Sequence, residues 1–166
     1  MRLDSLCGVD LAAGRVGSLE VRVRGACRDE VDRIAEFYRS LSSETLYLRF
    51  MNVSRDLKPY LERVFDSGGA VVVAEAGGAI IGSAEVVPAS NGLAEVGVVV
   101  HDDYQGMGIG RILTRALLKA ARITGVRRAV AYILPGNFRA LRLARKVGFR
   151  VEENMGDMIK LVLDLP

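Results

Sequence analysis

Apolar and polar residues alternate with period two from Leu19 to Gly25 (LEVRVRG), which predicts a half-buried strand. The period then lengthens. In EVDRIAEFYRSL, Val31, Ile34, Ala35, Tyr38 and Leu41 fall on one face at helical spacing, with Asp29 as the expected N-cap. Two more short helices are expected, SSETLYLRFM behind Ser42 or Ser43 and SRDLKPYLERVF before Gly68 and Gly69. Strand patterning returns in AVVVAEA and AIIGSAEVV, joined by Gly77 and Gly78 as a hairpin, and again in LAEVGVVV after Asn91 and Gly92. The remainder reads as helix (MGIGRILTRALLKAARITG), strand (RRAVAYIL), helix (NFRALRLARKVG) and two closing strands (FRVEEN and DMIKLVLDL). In the first of those helices Ile109, Ile112, Leu113, Ala116, Leu117 and Ala120 form one apolar stripe, and Gly125 ends it.

A strand–helix–strand crossover from LAEVGVVV to RRAVAYIL makes those two strands parallel, whereas the hairpins are antiparallel. The expected fold is therefore α+β, one domain over residues 19–166 with a mixed, mostly antiparallel sheet flanked by helices, and 1–18 as a lead-in segment. The length of 166 residues, half hydrophobic and 26% charged, suits one folded domain and excludes disorder. With no apolar run of about 18 residues and with Arg2, Asp4 and Asp10 near the start, neither a membrane span nor a signal peptide is read, and a soluble cytoplasmic protein is expected. A net charge of +3 is too small to imply nucleic-acid binding but suits a small polyanionic ligand. Cys7 and Cys27 form no ligand cluster with His101, so no metal is expected; both read as buried thiols, with a disulfide open if the source is a hyperthermophile.

The sharpest chemical signal is HDDYQGMGIGR, where Gly106, Gly108 and Gly110 lead from a strand end into an amphipathic helix. Glycines there let backbone N–H groups approach a phosphate, and the helix N-terminus adds partial positive charge. A Walker loop is excluded by the missing Gly-Lys-Ser/Thr, and the dinucleotide fingerprint by the G-x-G-x-G spacing.

Gln105-Gly106-Met107-Gly108-Ile109-Gly110 resembles the Q/R-x-x-G-x-G/A motif of the GNAT superfamily of acetyl-CoA-dependent N-acyltransferases, and Asn137 to Phe149 resembles its second coenzyme motif. YRSLSSETLYLRFM, AEVGVVVHDDYQGMGIG and NFRALRLARKVGF are most similar to the acetyltransferase domain of Pat-type protein lysine acetyltransferases. The resemblance implies a splayed parallel strand pair, with acetyl-CoA as co-substrate. Its pyrophosphate would sit on the amides of Gln105, Gly106, Met107, Gly108, Ile109, Gly110 and Arg111. The pantetheine arm would run along the backbone of Val98, Val99 and Val100 and reach Asn137, while Arg111, Arg115, Arg139 and Arg142 are available to the 3′-phosphate. Without the family, Asn137 is a helix N-cap.

An amine must lose a proton to attack a thioester, and at pH 7 the deficit for a lysine of pKa about 10.4 is on the order of 4 to 5 kcal/mol. Glu95, in the otherwise apolar strand LAEVGVVV, is the expected general base, its apolar neighbours desolvating it. Glu85 in the preceding strand is the second candidate. His101 reads as structural, and Asp102 and Asp103 as caps. Many GNAT enzymes carry a tyrosine seven residues after the motif asparagine; that position is Ala144, leaving the general acid open among water, another group such as Tyr132 or Tyr104, and none at all.

The acceptor implied by the resemblance is a protein lysine drawn to an acidic mouth of Glu44, Glu85 and Asp103, with neither membrane nor nucleic acid as partner. Alternatives are a protein N-terminus, a small-molecule amine, or a regulatory module that binds acyl-CoA without turnover.

Overall fold

A computed structural model describes residues 2–166. Eight strands form one sheet: β1 (Asp10–Val16), β2 (Leu19–Gly25), β3 (Ala70–Ala76), β4 (Ala79–Pro88), β5 (Leu93–Val100), β6 (Arg128–Ile133), β7 (Arg150–Asn154) and β8 (Ile159–Asp164). Their order is β1-β2-β3-β4-β5-β6-β8-β7, and among the described residues only β5 and β6 run parallel. Five helices flank the sheet: α1 (Val31–Arg39), α2 (Ser43–Phe50), α3 (Lys58–Asp66), α4 (Ile109–Ile123) and α5 (Phe138–Lys146). The mixed α+β sheet expected from the pattern is the one found.

The central strands are buried on both faces, which explains why β3 and much of β4 read as continuous apolar runs. On one face the α4 stripe of Ile109, Leu113, Ala116, Leu117 and Ala120 packs with Leu141 and Ala144 of α5 against Val72, Ala84 and Ala94. On the other, Ile34, Tyr38, Leu46 and Leu61 from α1–α3 cover Val71, Val73 and Val99.

Four local readings are corrected. The segment before residue 19 is not a bare lead-in: β1 pairs antiparallel with β2, and Leu3 and Leu6 enter the core; Met1 lies outside the described residues. Its burial alternates only weakly, which hid it as a strand. Asp29 does not cap α1; it sits in a 3₁₀ turn, Arg28–Glu30, and the Glu30 carboxylate instead accepts from the Cys27 N–H at 2.7 Å and pairs with Arg24. α3 starts at Lys58 rather than near Ser54, because Pro59 has no N–H and fits only the first turn of a helix. Cys7 and Cys27 are not buried thiols but a disulfide, with Cys7 exposed and Cα atoms 4.6 Å apart, tying the N-terminal segment to the β2–α1 junction.

Candidate active site

Beyond β5 the chain makes a 3₁₀ turn (Asp102–Tyr104), passes Gln105, and enters α4. Gly106 and Gly108 have φ of 79° and 88°, left-handed values that side chains with a Cβ adopt only at a cost. This turns the backbone so that the N–H groups of six residues, Gly106 to Arg111, have no hydrogen-bond partner among the described residues. Consecutive free donors at the positive end of a 15-residue helix form a cradle for a doubly charged group such as a pyrophosphate. The Gln105 N–H, expected to join them, is engaged by the Asp102 carbonyl at 3.4 Å. Its side chain is structural: Nε2 donates to the Val100 carbonyl at 2.9 Å and to Thr45 Oγ1 at 3.2 Å, and Oε1 accepts from Arg139.

The parallel ladder between β5 and β6 is short. Leu93, Ala94 and Glu95 pair with Arg128, Ala129 and Val130, and no pairing continues past them. From Val96 to Val100 the β6-facing edge of β5 therefore has no strand partner while β4 occupies the other edge; Gln105 Nε2 donates to the Val100 carbonyl, and the remaining backbone polar groups wall a slot. Asn137 caps α5, its Oδ1 accepting from the Ala140 N–H at 3.2 Å. Ala144 is buried in the core, Tyr132 is exposed at the end of β6, and Tyr104 is half-buried against the His101 ring.

On the α1–α3 face lies a cleft of about 310 Å³. Antiparallel register sets Val87 opposite Glu95 and Glu85 opposite Gly97, so both candidate carboxylates face this cleft. Their situations differ. Ala94 and Val96 turn into the core, and strand alternation leaves Glu95 exposed on the opposite face, not enclosed by the apolar neighbours as expected. It makes no hydrogen bond or ion pair with any described residue.

Glu85 is 1% exposed and fully engaged: Oε1 accepts from the Tyr38 and Ser83 hydroxyls, and Oε2 pairs with Arg49 at 2.9 Å. The same Arg49 nitrogen donates to the Tyr60 hydroxyl at 3.1 Å. Burial and the neighbouring Glu85 charge push the Tyr38 hydroxyl well above its ordinary pKa, and the same causes raise Tyr60. The Arg49 guanidinium lies over Gly97, where a Cβ would come within 2.0 Å of it, so a side chain at 97 would displace the arginine.

Glu85 is thus no part of an acidic mouth; Glu44 and Asp103 remain exposed at the surface. Asp102, read as a cap, proves to cap across the fold. Its carboxylate accepts from the Ser42 N–H, the Ser42 hydroxyl and the Thr45 hydroxyl, pinning the start of α2, and these bonds outweigh partial burial and lower its pKa to about 2. His101 Nδ1 accepts from the Asp103 N–H, a structural role.

Sequence reasoning missed Arg49, Tyr60 and Arg63. A carboxylate in a strand as buried as β4 demands a counter-cation, and Tyr60, Arg63 and Val64 share one face of α3 at helical spacing; both signals were available.

The acetyltransferase (GNAT) family model matches residues 31–149. The chain belongs to this family. It carries a GNAT acetyltransferase domain, for which acetyl-CoA is the co-substrate. It is 34% identical over 145 residues to Acetyltransferase Pat of Mycolicibacterium smegmatis, covering 82% of this chain and 43% of the relative. To an L-methionine sulfoximine/L-methionine sulfone acetyltransferase of Pseudomonas aeruginosa it is 33% identical over 90 residues, 51% of this chain and 52% of the relative. The chain spans about half or less of the length of these two relatives. Among solved structures, the GNAT domain of S. lividans PAT superposes with a TM-score of 0.83 at 25% identity, covering 95% of this chain and 97% of that one. The yncA acetyltransferase from Salmonella typhimurium, solved with acetyl-CoA, gives 0.73 at 26% identity, covering 88% and 94%. No helix among the described residues is long and apolar enough to cross a membrane.

Proposed function

We propose that this domain transfers the acetyl group of acetyl-CoA to the side-chain amine of a lysine on a protein, with Glu95 as general base. The observation that carries the reading is an unpaired carboxylate, Glu95, in a cleft on the same strand whose free edge and following donor cradle suit acetyl-CoA. The Gly106–Arg111 amides hold the pyrophosphate, the Val98–Val100 backbone takes the pantetheine arm, and the Asn137 amide, whose nitrogen has no partner among the described residues, bonds to it. Glu95, directly or through one water, takes a proton from the ammonium of the acceptor. The freed nitrogen lone pair attacks the thioester carbon, the carbon–sulfur bond breaks, and the second proton, shed by the nitrogen as the amide forms, passes through water to the CoA thiolate. With Ala144 in place of a tyrosine no side chain is assigned as general acid, and a thiolate is an adequate leaving group near neutral pH. Glu85, saturated by three donors, fixes Arg49 and the cleft floor.

Two observations support a protein acceptor: the likeness to Pat-type domains, and the few free polar groups in the cleft, where a specific metabolite pocket needs several converging ones. Acetyl-CoA implies a cytoplasmic site of action; a disulfide there is a feature of hyperthermophile proteins.

The test incubates the protein and labelled acetyl-CoA with native lysate proteins and, separately, with polyamines, aminoglycosides and amino acids. Label on lysine side chains is expected. Label confined to small molecules or to protein α-amines would move the acceptor class, and no release of free CoA thiol with any acceptor would leave a binding module.

A further inference from the structure

The cleft holds two charged groups that the fold itself does not neutralise. Arg49 and Glu85 compensate each other at 2.9 Å, whereas Glu95 and Arg63 line the same cleft and neither forms an ion pair or hydrogen bond with any described residue. Arg63 is placed there by helix geometry. Tyr60, Arg63 and Val64, at positions i, i+3 and i+4 of one α3 face, line the cleft together with Ser67, the C-cap of that helix, with Tyr60 at the Arg49 end. The acidic residues of the same segment are turned elsewhere: neither Glu62 nor Asp66 lines the cleft, and Asp66 is paired with Arg28 at 2.8 Å. A lysine side chain by itself would use only the negative member of this set.

We propose that Arg63 is a specificity-determining residue that receives a carboxylate carried by the acceptor close to its amine. The acceptor is then dipolar, its ammonium directed to Glu95 and its acid group to Arg63. This rests on the acetyl-transfer reading above and narrows its substrate class to lysines with an acidic neighbour. The same chemistry is offered by the α-carboxylate of a free amino acid, and the experiment separates these sources. Arg63 reads the carboxylate as a forked donor, and because the position is exposed its contribution is screened by salt.

The test measures kcat and KM for acetyl transfer to lysine peptides differing only in Asp or Asn beside the lysine, and to free amino acids and their amides. Wild type is compared with Arg63→Gln, Arg63→Lys and Arg122→Gln; the last removes an equal charge from the exposed end of α4. The wild type is expected to favour the Asp peptide by about 5-fold in kcat/KM, the size of one rim ion pair, mostly through KM and less at high salt. Arg63→Gln should abolish the preference, Arg63→Lys restore part of it, and Arg122→Gln leave it intact.

Equal use of Asp and Asn peptides, or a preference that survives Arg63→Gln or falls equally in Arg122→Gln, overturns the proposal while the lysine reading stands. Acetylation of free amino acids but not their amides, dependent on Arg63 and with all peptides inert, supports Arg63 and overturns the lysine reading. No turnover of any acidic acceptor overturns the proposal.

Discussion

The two halves of this site are built from different materials. The cradle at the start of α4 is backbone: six N–H donors from six consecutive residues, aimed by two left-handed glycines and a helix dipole. The cleft proposed for the acceptor is side chain: Arg49 from α2, Tyr60 and Arg63 from α3, Glu85 from β4 and Glu95 from β5, brought together across about fifty residues. A backbone site tolerates almost any side chain that leaves the turn intact. A side-chain site fails when one buried charge loses its partner. The first is local and unvarying in chemistry; the second can change its side chains while the backbone half stays the same.

The largest expected effect comes from the cleft floor. Glu85→Gln removes the carboxylate that accepts from Tyr38, Ser83 and Arg49, leaving a guanidinium without its counter-ion and an amide N–H₂ facing other donors. Stability should fall by about 3 to 5 kcal/mol, seen as a lowered urea midpoint. A loss under about 1 kcal/mol would show that Arg49 finds water instead, and that the floor is not the rigid element described.

Next comes Glu95→Gln. Because the Glu95 carboxylate makes no hydrogen bond or ion pair with any described residue, stability and acetyl-CoA affinity should stay near wild type while kcat drops by on the order of 10²-fold at pH 7. Raising the pH should recover part of the rate, since more of a lysine amine of pKa about 10.4 is then deprotonated without help. Most of the activity surviving from pH 6 to 9 would remove Glu95 as the base. The mirror-image result is expected in the cradle: Gly108→Val, forced to φ near 88°, should raise the dissociation constant for acetyl-CoA by about tenfold or more in calorimetry, with the circular dichroism spectrum retained. Wild-type affinity in that variant would empty the cradle of its assigned role.

The same contrast decides what was legible in the chain. The cradle, the strand that leads to it and the α4 stripe are runs of consecutive residues whose spacing carries the geometry, so Gly106 to Arg111 and the crossover to β6 could be read directly. Glu95 was legible as a charge in an apolar strand, but its exposure was not, because the helix-covered face of β5 that buries Val99 is open at Glu95. The buried Glu85 called for a counter-cation, but nothing around Arg49 in α2 singled it out as that cation, and Gly97 has the pattern of any strand glycine although the guanidinium lies over it. β1 escaped notice because its weak alternation follows from being an edge strand, with little to bury.

One residue joins the two halves, and it carries the smallest expected effect. Asp102 lies between β5 and the cradle, yet its carboxylate holds Ser42 and Thr45 at the start of α2, the helix that carries Arg49. Gln105 reaches the same Thr45 hydroxyl. With three donors on it, Asp102 titrates at about 2 in the fold against an ordinary value of 3.8. A carboxyl whose pKa is depressed on folding contributes stability above its unfolded pKa and loses it as pH falls through the folded one. Its contribution is therefore complete above about pH 4 and gone near pH 2. Asp102→Asn should cost about 1 kcal/mol at pH 7, a half-buried cap discounted for solvent, and the difference from wild type should close between pH 4 and pH 2 in urea midpoints. In the assay the variant should raise KM for the amine acceptor, as α2 and Arg49 loosen, while leaving the dissociation constant for acetyl-CoA within about twofold. If acetyl-CoA affinity instead falls as far as in Gly108→Val, the cradle depends on this link for its shape, and the division into an independent backbone half and side-chain half does not hold.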